Sequence, residues 1–581
     1  MKLKQFIFAL VAMLLSFSSY AFAQQTVVVN SFEELKAEIE KQGGVARSNS
    51  LRTRGVADQG DLSEFYGDIQ LGNDIVMSEA LVISDVRELT LDLNGHTISG
   101  DAGKFIRNFG GFTVRDNSSA KSGGISCAIF NGDDQNDGAY LTIEGGTFKN
   151  KNAGAVVVTN YAVCEVTGGR FFSEGIALDN HALMTIDGGS PNNVYIEGKN
   201  HYITNYGTLA VNNATIAGAK SDYAGDKSVF GDNVIFYNVA VNGKGYNSLS
   251  EAVANAEDGD LIRFFGDIEE SQEVTINKAV TLDGNSKKLT SSSTGNAINV
   301  NAPGTVTITD ITIEGAAAYA LNATTAVEVL ESTLSAGGAL KATNNKVFVQ
   351  NSDLLGTGKM NVISVAEKVT FNFEGGSIKS TAQAGDEDFF IIGGDCSGAT
   401  FSIMATGIEL GGAENYLNLN TEANTVKVHS SFEPAFNNKG YATTKKGNFM
   451  YVYNAVARVN DKNYTTLAAA LDAATDASTV ELLWADYKAP IAMNGTVAGN
   501  KTVTITGTAK VDWDKGFLFV GRNAEGNGKV IFYNANLTSI SNSKAYGFNV
   551  SGSKLNDNTT NDGTVEIKNS TIELDYMINK G

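Results

Sequence analysis

Cysteine is nearly absent from this chain. Cys127, Cys164 and Cys396 are the only three in 581 residues. An odd, scattered set is not a disulfide framework. Their neighbours, SCAIF, AVCEV and GGDCSG, read as small packing or turn positions. A single Cys127–Cys164 bridge in an oxidising compartment is the one pairing left open. Histidine is as scarce. His96, His181, His201 and His429 show no metal-ligand spacing and read as structural or surface residues. Tryptophan is limited to Trp484 and Trp513, which excludes a dense aromatic platform built on that residue. Basic residues are too few to balance the acids: 44 Lys and Arg face 64 Asp and Glu, for a net charge of −20. Nucleic acid and anionic membranes both require clustered cations, so neither is an expected partner. The densest basic patch, Arg47, Arg52 and Arg54, sits in a polar stretch over 43–61 that reads as a protease-sensitive loop. Beyond the N-terminus, no apolar run reaches the roughly 18 residues a membrane helix needs.

Hydrophobic residues make up 42% of the chain and proline is limited to 4, so this is not a disordered sequence. At this length a single compact core is not expected. The first residues, MKLKQFIFALVAMLLSFSSYAFAQQ, combine Lys2 and Lys4, an apolar run from Phe6 to Leu15, and Ala21-Phe22-Ala23. That pattern predicts a signal peptide over residues 1–23, cut before Gln24. The expected location is secreted or cell-surface.

A short phrase then recurs. VTITDITIEG, from Val306 to Gly315, alternates apolar and polar residues, slips by one at Asp310 and resumes. Near-copies begin at Leu141, Met184, Val327 and Val565. A slip of one residue turns a strand inside out unless the chain bends there. Each phrase therefore predicts two short strands meeting at a corner of Gly, Asn, Asp, Ser or Thr, residues suited to left-handed backbone angles or local turns. The copies recur at roughly 20–25 residues, the period of a solenoid. The leucine-rich-repeat pattern is missing, so a parallel β-helix is the expected all-β fold.

A longer repeat encloses the short one. SFEELKAEIEKQGG begins at Ser31, SLSEAVANAEDGD at Ser248 and TLAAALDAATDAS at Thr466. Ser31 with Glu34, and Ser248 with Glu251, have capping-box spacing; the third copy lacks the Glu. Each helix precedes a similar strand set and suits a cap over an open solenoid end. The expected division is 24–240, 241–457 and 458–581. The last module stops without a cap, so it is expected to be either a fragment of a longer chain, the favoured reading, or a naturally short module.

The helix, the Gly67-Asp68-Ile69 turn and the coil LDLNGHTI from Leu91 resemble the N-terminal caps of the pectin-lyase-like right-handed parallel β-helix superfamily. The signal peptide and tandem modules resemble secreted surface proteins of Bacteroidetes-type bacteria. The resemblance implies a right-handed solenoid and brings glycan-active enzymes into view. Hydrolases of that kind carry N-x-D, D-D, G-H-G and R-I-K in order, and this set is missing here. Asp133-Asp134 has no G-H-G after it, and His96, in Asn94-Gly95-His96, falls in the cap coil. No catalytic constellation is visible.

Two kinds of binding residue remain. Asp133, Asp134 and Asp137, in NGDDQNDGAY, form an oxygen-rich loop that suits Ca²⁺. A similar loop holds Asp557 and Asp562. Their ordinary reading is Asn-Asp-Gly turn chemistry. Tyr161, Tyr202, Tyr206 and Tyr319 are candidates to stack on sugar rings, as are Phe171 and Phe172; their ordinary reading is core packing. The expected function is adhesive or glycan-binding, with a polysaccharide or a host or neighbouring cell surface as partner. The alternative is a polysaccharide lyase or glycoside hydrolase acting on acidic polysaccharide. No cofactor beyond Ca²⁺ is expected.

Overall fold

The computed structural model describes residues 26–50, 68–84, 89–134, 138–218, 224–225, 228–343, 345–365, 368–381, 390–393, 400–403, 409–411, 415–417, 425–430, 433, 436, 441–447, 449–483, 490–514, 516, 518–521, 527–540, 546–550, 553–554, 560–561, 563–574 and 576–579. These fall into two compact units. The first is drawn from Met1–Ala256, Asp260–Ile268 and Asp283–Lys287, the second from Glu257–Gly259, Glu269–Leu282 and Lys288–Gly581. The signal-peptide segment lies outside the described residues, as do Trp484, Cys396, Asp557 and Asp562.

In the first unit the chain visits three parallel sheets in rotation. Tyr140–Ile143 lies in the first sheet, Thr147–Asn150 in the second, and Val156–Asn160 in the third; Val163–Val166 then returns to the first. Parallel strands in register place equivalent residues of successive coils side by side. Inward side chains therefore stack into columns. Leu91, Val114, Ile143, Val166, Ile186 and Val211 form one column. Ile98, Ile125, Phe148, Phe171, Ile196 and Ile216 form a second. Ile106, Ile129, Val158, Leu178 and Ile203 form the third. All of these side chains are buried. Removing such apolar area from water contributes about 25 cal/mol per Å². Phe171 is thus a core residue: its ring stacks on Phe148 with centroids 5.0 Å apart.

A polar column completes this core. Asn108, Asn131, Asn160, Asn180 and Asn205 end successive strands of the third sheet, and all are buried. Each side-chain Nδ2 donates to the Oδ1 of the next, at 2.8, 2.7, 2.7 and 2.6 Å. The Asn160 Nδ2 also donates to the carbonyls of Ala162 and Leu183, while its Oδ1 accepts from the Ala162 N–H. A buried amide must satisfy all its donors and acceptors, and here the neighbouring coils and the bend itself do so.

The second unit repeats the logic. The strand Val306–Glu314 buries Val306, Ile308, Ile311 and Ile313, and Asp310 between them has φ 51°. Glu331, Asn351 and Gly375 stand at the same corner of the following coils, with φ of 50°, 48° and 97°. The parity slip read from the sequence is this left-handed corner. Val306 stacks on Val327, Val347 and Phe371 in turn. Farther along, Ser478–Leu482, Thr502–Asp512, Lys529–Ser539 and Thr564–Lys568 again pair in parallel.

The helices carry the caps their sequences predict. Helix α1 (Phe32–Ser50) is N-capped by Ser31, whose Oγ accepts from the Glu34 N–H; the Glu34 carboxylate accepts from the Asn30 N–H. Helix α2 (Leu249–Asn255) repeats this with Ser248 and Glu251. Helix α3 (Leu467–Ala473) keeps only the Thr466 half. Two features differ from the expectation. Helix α1 runs on to Ser50, into the segment read as a loop, and nothing in the local sequence explains its passage through Gly43 and Gly44. Antiparallel hairpins also occur. Val239–Val241 pairs with Lys244–Tyr246, and Ala457–Val459 with Lys462–Tyr464. Their turns, Asn242-Gly243 and Asn460-Asp461, all have positive φ, the backbone that two-residue hairpins require.

The ladder predicts its own cost of removal. Asn160→Ala orphans buried groups on both neighbouring coils, at about 1–3 kcal/mol for each unsatisfied group. Urea unfolding should show a loss of about 3 kcal/mol. Thr185→Ala, on the outer face of the first sheet, should stay within about 0.5 kcal/mol of the parent.

Candidate functional site

Immediately after four of the five ladder asparagines comes an aromatic residue: Phe109 after Asn108 and, on three consecutive coils, Tyr161 after Asn160, His181 after Asn180 and Tyr206 after Asn205. The buried amide fixes the backbone, so the next side chain projects outward at the same corner of each coil. The three rings stack along the solenoid. Tyr161 and His181 have centroids 4.6 Å apart at 19°, and His181 and Tyr206 4.9 Å apart at 24°. These separations match the coil repeat of about 4.7–4.9 Å. The inner ring faces are occupied by one another. The surface receives ring edges, two phenol hydroxyls and an imidazole, while Tyr206 is 71% exposed.

A polar row runs beside the rings. Register places Thr159, Asp179 and Thr204 next to each other on the third sheet, where both threonines are buried and Asp179 is half-buried. The Asp179 carboxylate accepts from Thr204 Oγ1 at 2.7 Å and lies 3.0 Å from His181 Nε2. It therefore holds the imidazole in its place in the stack.

The other sequence candidates are placed elsewhere. Tyr202 is 2% exposed and belongs to the core, so its ring cannot reach a sugar. Tyr319, in the second unit, is 7% exposed and also packs inward. Of the six aromatic candidates, the structure brings together only Tyr161 and Tyr206. Asp133 is half-buried and Asp134 exposed, while Asp137 lies outside the described residues. Among the described residues, no group of three or more His, Cys, Asp or Glu side chains could hold a metal. His96 lies 3.6 Å from Asp74 in an early coil. Cys127 and Cys164 are free and buried, so the bridge left open by the sequence is not formed.

A second cluster, invisible in the linear sequence, occupies the outer face of the second sheet. Lys149, Phe172 and Glu197 stand side by side on adjacent strands, as do Arg170 and Tyr195. The Arg170 guanidinium lies over the rings of Phe172 and Tyr195, at 5.5 and 5.1 Å, and donates to the Gly243 carbonyl in the first hairpin. Arg263 donates to both oxygens of Glu174, at 3.0 and 3.1 Å, and to Asp283 at 2.8 Å. The Tyr195 hydroxyl donates to Glu197 at 2.8 Å. Burial raises the Glu197 carboxyl above its ordinary value, against the Tyr195 bond and the Arg263 charge, which pull it down. Burial likewise pushes the Tyr195 phenol well up, helped by the Glu197 charge. Lys149, Phe172, Glu174, Glu197 and Arg263 of this cluster line a cavity of about 340 Å³.

No protein-family model matches the sequence, and neither does any curated protein. Among solved structures, a mutant of AlyGC, an alginate lyase of the PL6 family, aligns with 96% of this chain and 78% of its own length, at 11% identity and a TM-score of 0.14. At that score the likeness carries no argument. Among the described residues, no helix is long and apolar enough to cross a membrane.

Burial pushes both thiols, Cys127 and Cys164, up to about 12. An unfolded thiol ionises near 8.5, so the neutral thiols favour the folded state fully below that value, and this contribution is lost as pH rises from there towards 12. In the native protein, iodoacetamide at pH 8 should leave both unmodified, with labelling only after urea is added. Native labelling, or a 127–164 cross-linked peptide in a non-reduced digest, would contradict the burial.

Proposed function

We propose that the chain is an exported surface protein of three tandem right-handed β-helix modules that binds polysaccharide in an adhesive or glycan-binding role. The carrying observation is the Tyr161–His181–Tyr206 column, with Asp179 holding its imidazole. A column of ring edges offers hydroxyl and imidazole groups at one-coil spacing, and the open Tyr206 ring offers an apolar face. Aromatic faces with a few fixed polar groups are the usual means of holding a ligand in place. The column supports extended, hydroxyl-rich chains over compact ligands, because its hydroxyl and imidazole groups repeat along the solenoid axis. The signal peptide supports export. The Asp133–Asp134–Asp137 loop is retained as a Ca²⁺ proposal, resting on its oxygen-rich sequence alone.

The test is retention of the full chain on insoluble and arrayed polysaccharides, with Tyr206→Ala and His181→Ala as variants. Ring contacts contribute about 0.5–1.5 kcal/mol each, so each variant should weaken binding by about 3- to 10-fold. Binding unchanged in both variants would remove the column from the account. Release of unsaturated uronide from pectin, alginate or glycosaminoglycans, read by its absorbance, would replace the adhesive reading with a lyase.

A further inference from the structure

The cavity on the second sheet carries a charge opposite to that of the chain. The protein bears a net −20. Here Lys149, Arg170, Lys199 and Arg263 gather around Glu174, Glu197 and Asp283, and Lys151 adds a further cation to the lining. The carboxylates are already engaged. Glu174 and Asp283 are taken up by Arg263, and Asp283 lies 3.8 Å from Lys199. Glu197 accepts from Tyr195. The two lysines on the lining are not engaged in this way. Lys149 lies over the Phe172 ring at 5.6 Å, and neither Lys149 nor Lys151 has a carboxylate within ion-pair distance among the described residues.

The lining also includes the apolar side chains of Phe172, Ala240 and Leu261, with Phe172 lying under Lys149. Asn150 and Asn242 complete the lining with amide groups. The volume falls in the range of small-molecule sites, roughly 300–1,000 Å³. A low-dielectric wall beside uncompensated cations focuses the field on an entering anion.

We infer that this cavity binds an anionic group, a carboxylate or a phosphate or sulfate ester, carried on a ring-sized body, with Lys149 and Lys151 holding the charge and Phe172 the body. The site is separate from the ring column, so the two stand or fall independently. A charge-assisted hydrogen bond from each ammonium supplies the affinity.

The test uses the full chain and four probes: glucuronate, glucose 6-phosphate, glucose and inorganic phosphate. Binding is followed by calorimetry at low and high salt. At least one of the two anionic sugars should bind, more weakly as salt rises, and glucose should not. The two sugars distinguish a carboxylate from an ester as the preferred source. Lys149→Ala with Lys151→Ala should weaken that binding by about tenfold or more, whereas Tyr206→Ala should leave it unchanged. Both lysines are exposed, so the double variant should keep the parent melting temperature. If it does not, Lys149→Gln alone, which keeps the length of the side chain, should still weaken binding. Glucose binding as tightly as the sugar anions overturns the inference, as does the absence of binding by either anion. Phosphate bound in preference to both sugars marks a site for an adventitious ion only and also overturns it.

Discussion

Within each unit, the described parallel coils lie in register on one another. A parallel strand shifted by one residue would send its inward set to solvent, and with it the Val306, Ile308, Ile311 and Ile313 column or its equivalents. The apolar columns supply the driving force, but they tolerate exchange among Val, Ile, Leu and Phe. The asparagine ladder is less tolerant. An amide whose donors and acceptor are met by the coils on either side fits only one register and one bend. It makes the corner after the third sheet the most precisely defined feature of the first unit. The same constraint produces the surface, since whatever follows the ladder residue is displayed at one-coil spacing. Tyr161, His181 and Tyr206 are stacked because Asn160, Asn180 and Asn205 are.

The fold was legible because its signals are local. The alternation in VTITDITIEG, the slip at Asp310 and the Ser–Glu cap spacing each lie within ten residues, and each has its physical counterpart in the structure. The hairpins were equally local, written as Asn242-Gly243 and Asn460-Asp461 before a Lys and a Tyr, but the helix-and-coil pattern around them drew the reading away from turn chemistry. The candidate sites were less legible because they depend on which coils become neighbours. Tyr202 and Tyr206 are four residues apart, and only alternation about the ladder decides that one is core and the other surface. A count of residues after each Asn-aromatic pair would have found the column. No local count would have joined Lys149, Glu197 and Arg263, which meet through two strand registers and a hairpin.

The two outer sites draw on different physics. The ring column works through shape and edge polarity in a solvated setting, where each contact is modest and a long ligand gains by repetition. The cavity works through charge beside apolar walls, where one contact can weigh more because water is partly excluded. The acidic chain as a whole repels anions, so a local cationic excess is a specific feature of that place. Neither site needs the solenoid to move, and both need it to be rigid.

The claim that coils stack in parallel register is tested most directly by a distance. Thr90, Thr113, Thr142, Glu165 and Thr185 occupy one outward column of the first sheet. Four coil steps at about 4.8 Å place Thr90 and Thr185 about 19 Å apart. Spin labels at these two positions, read by dipolar spectroscopy, should give a narrow distribution centred near 20 Å, allowing for the labels. A broad distribution, or one centred beyond about 35 Å, would contradict the register on which the core and both surface sites depend.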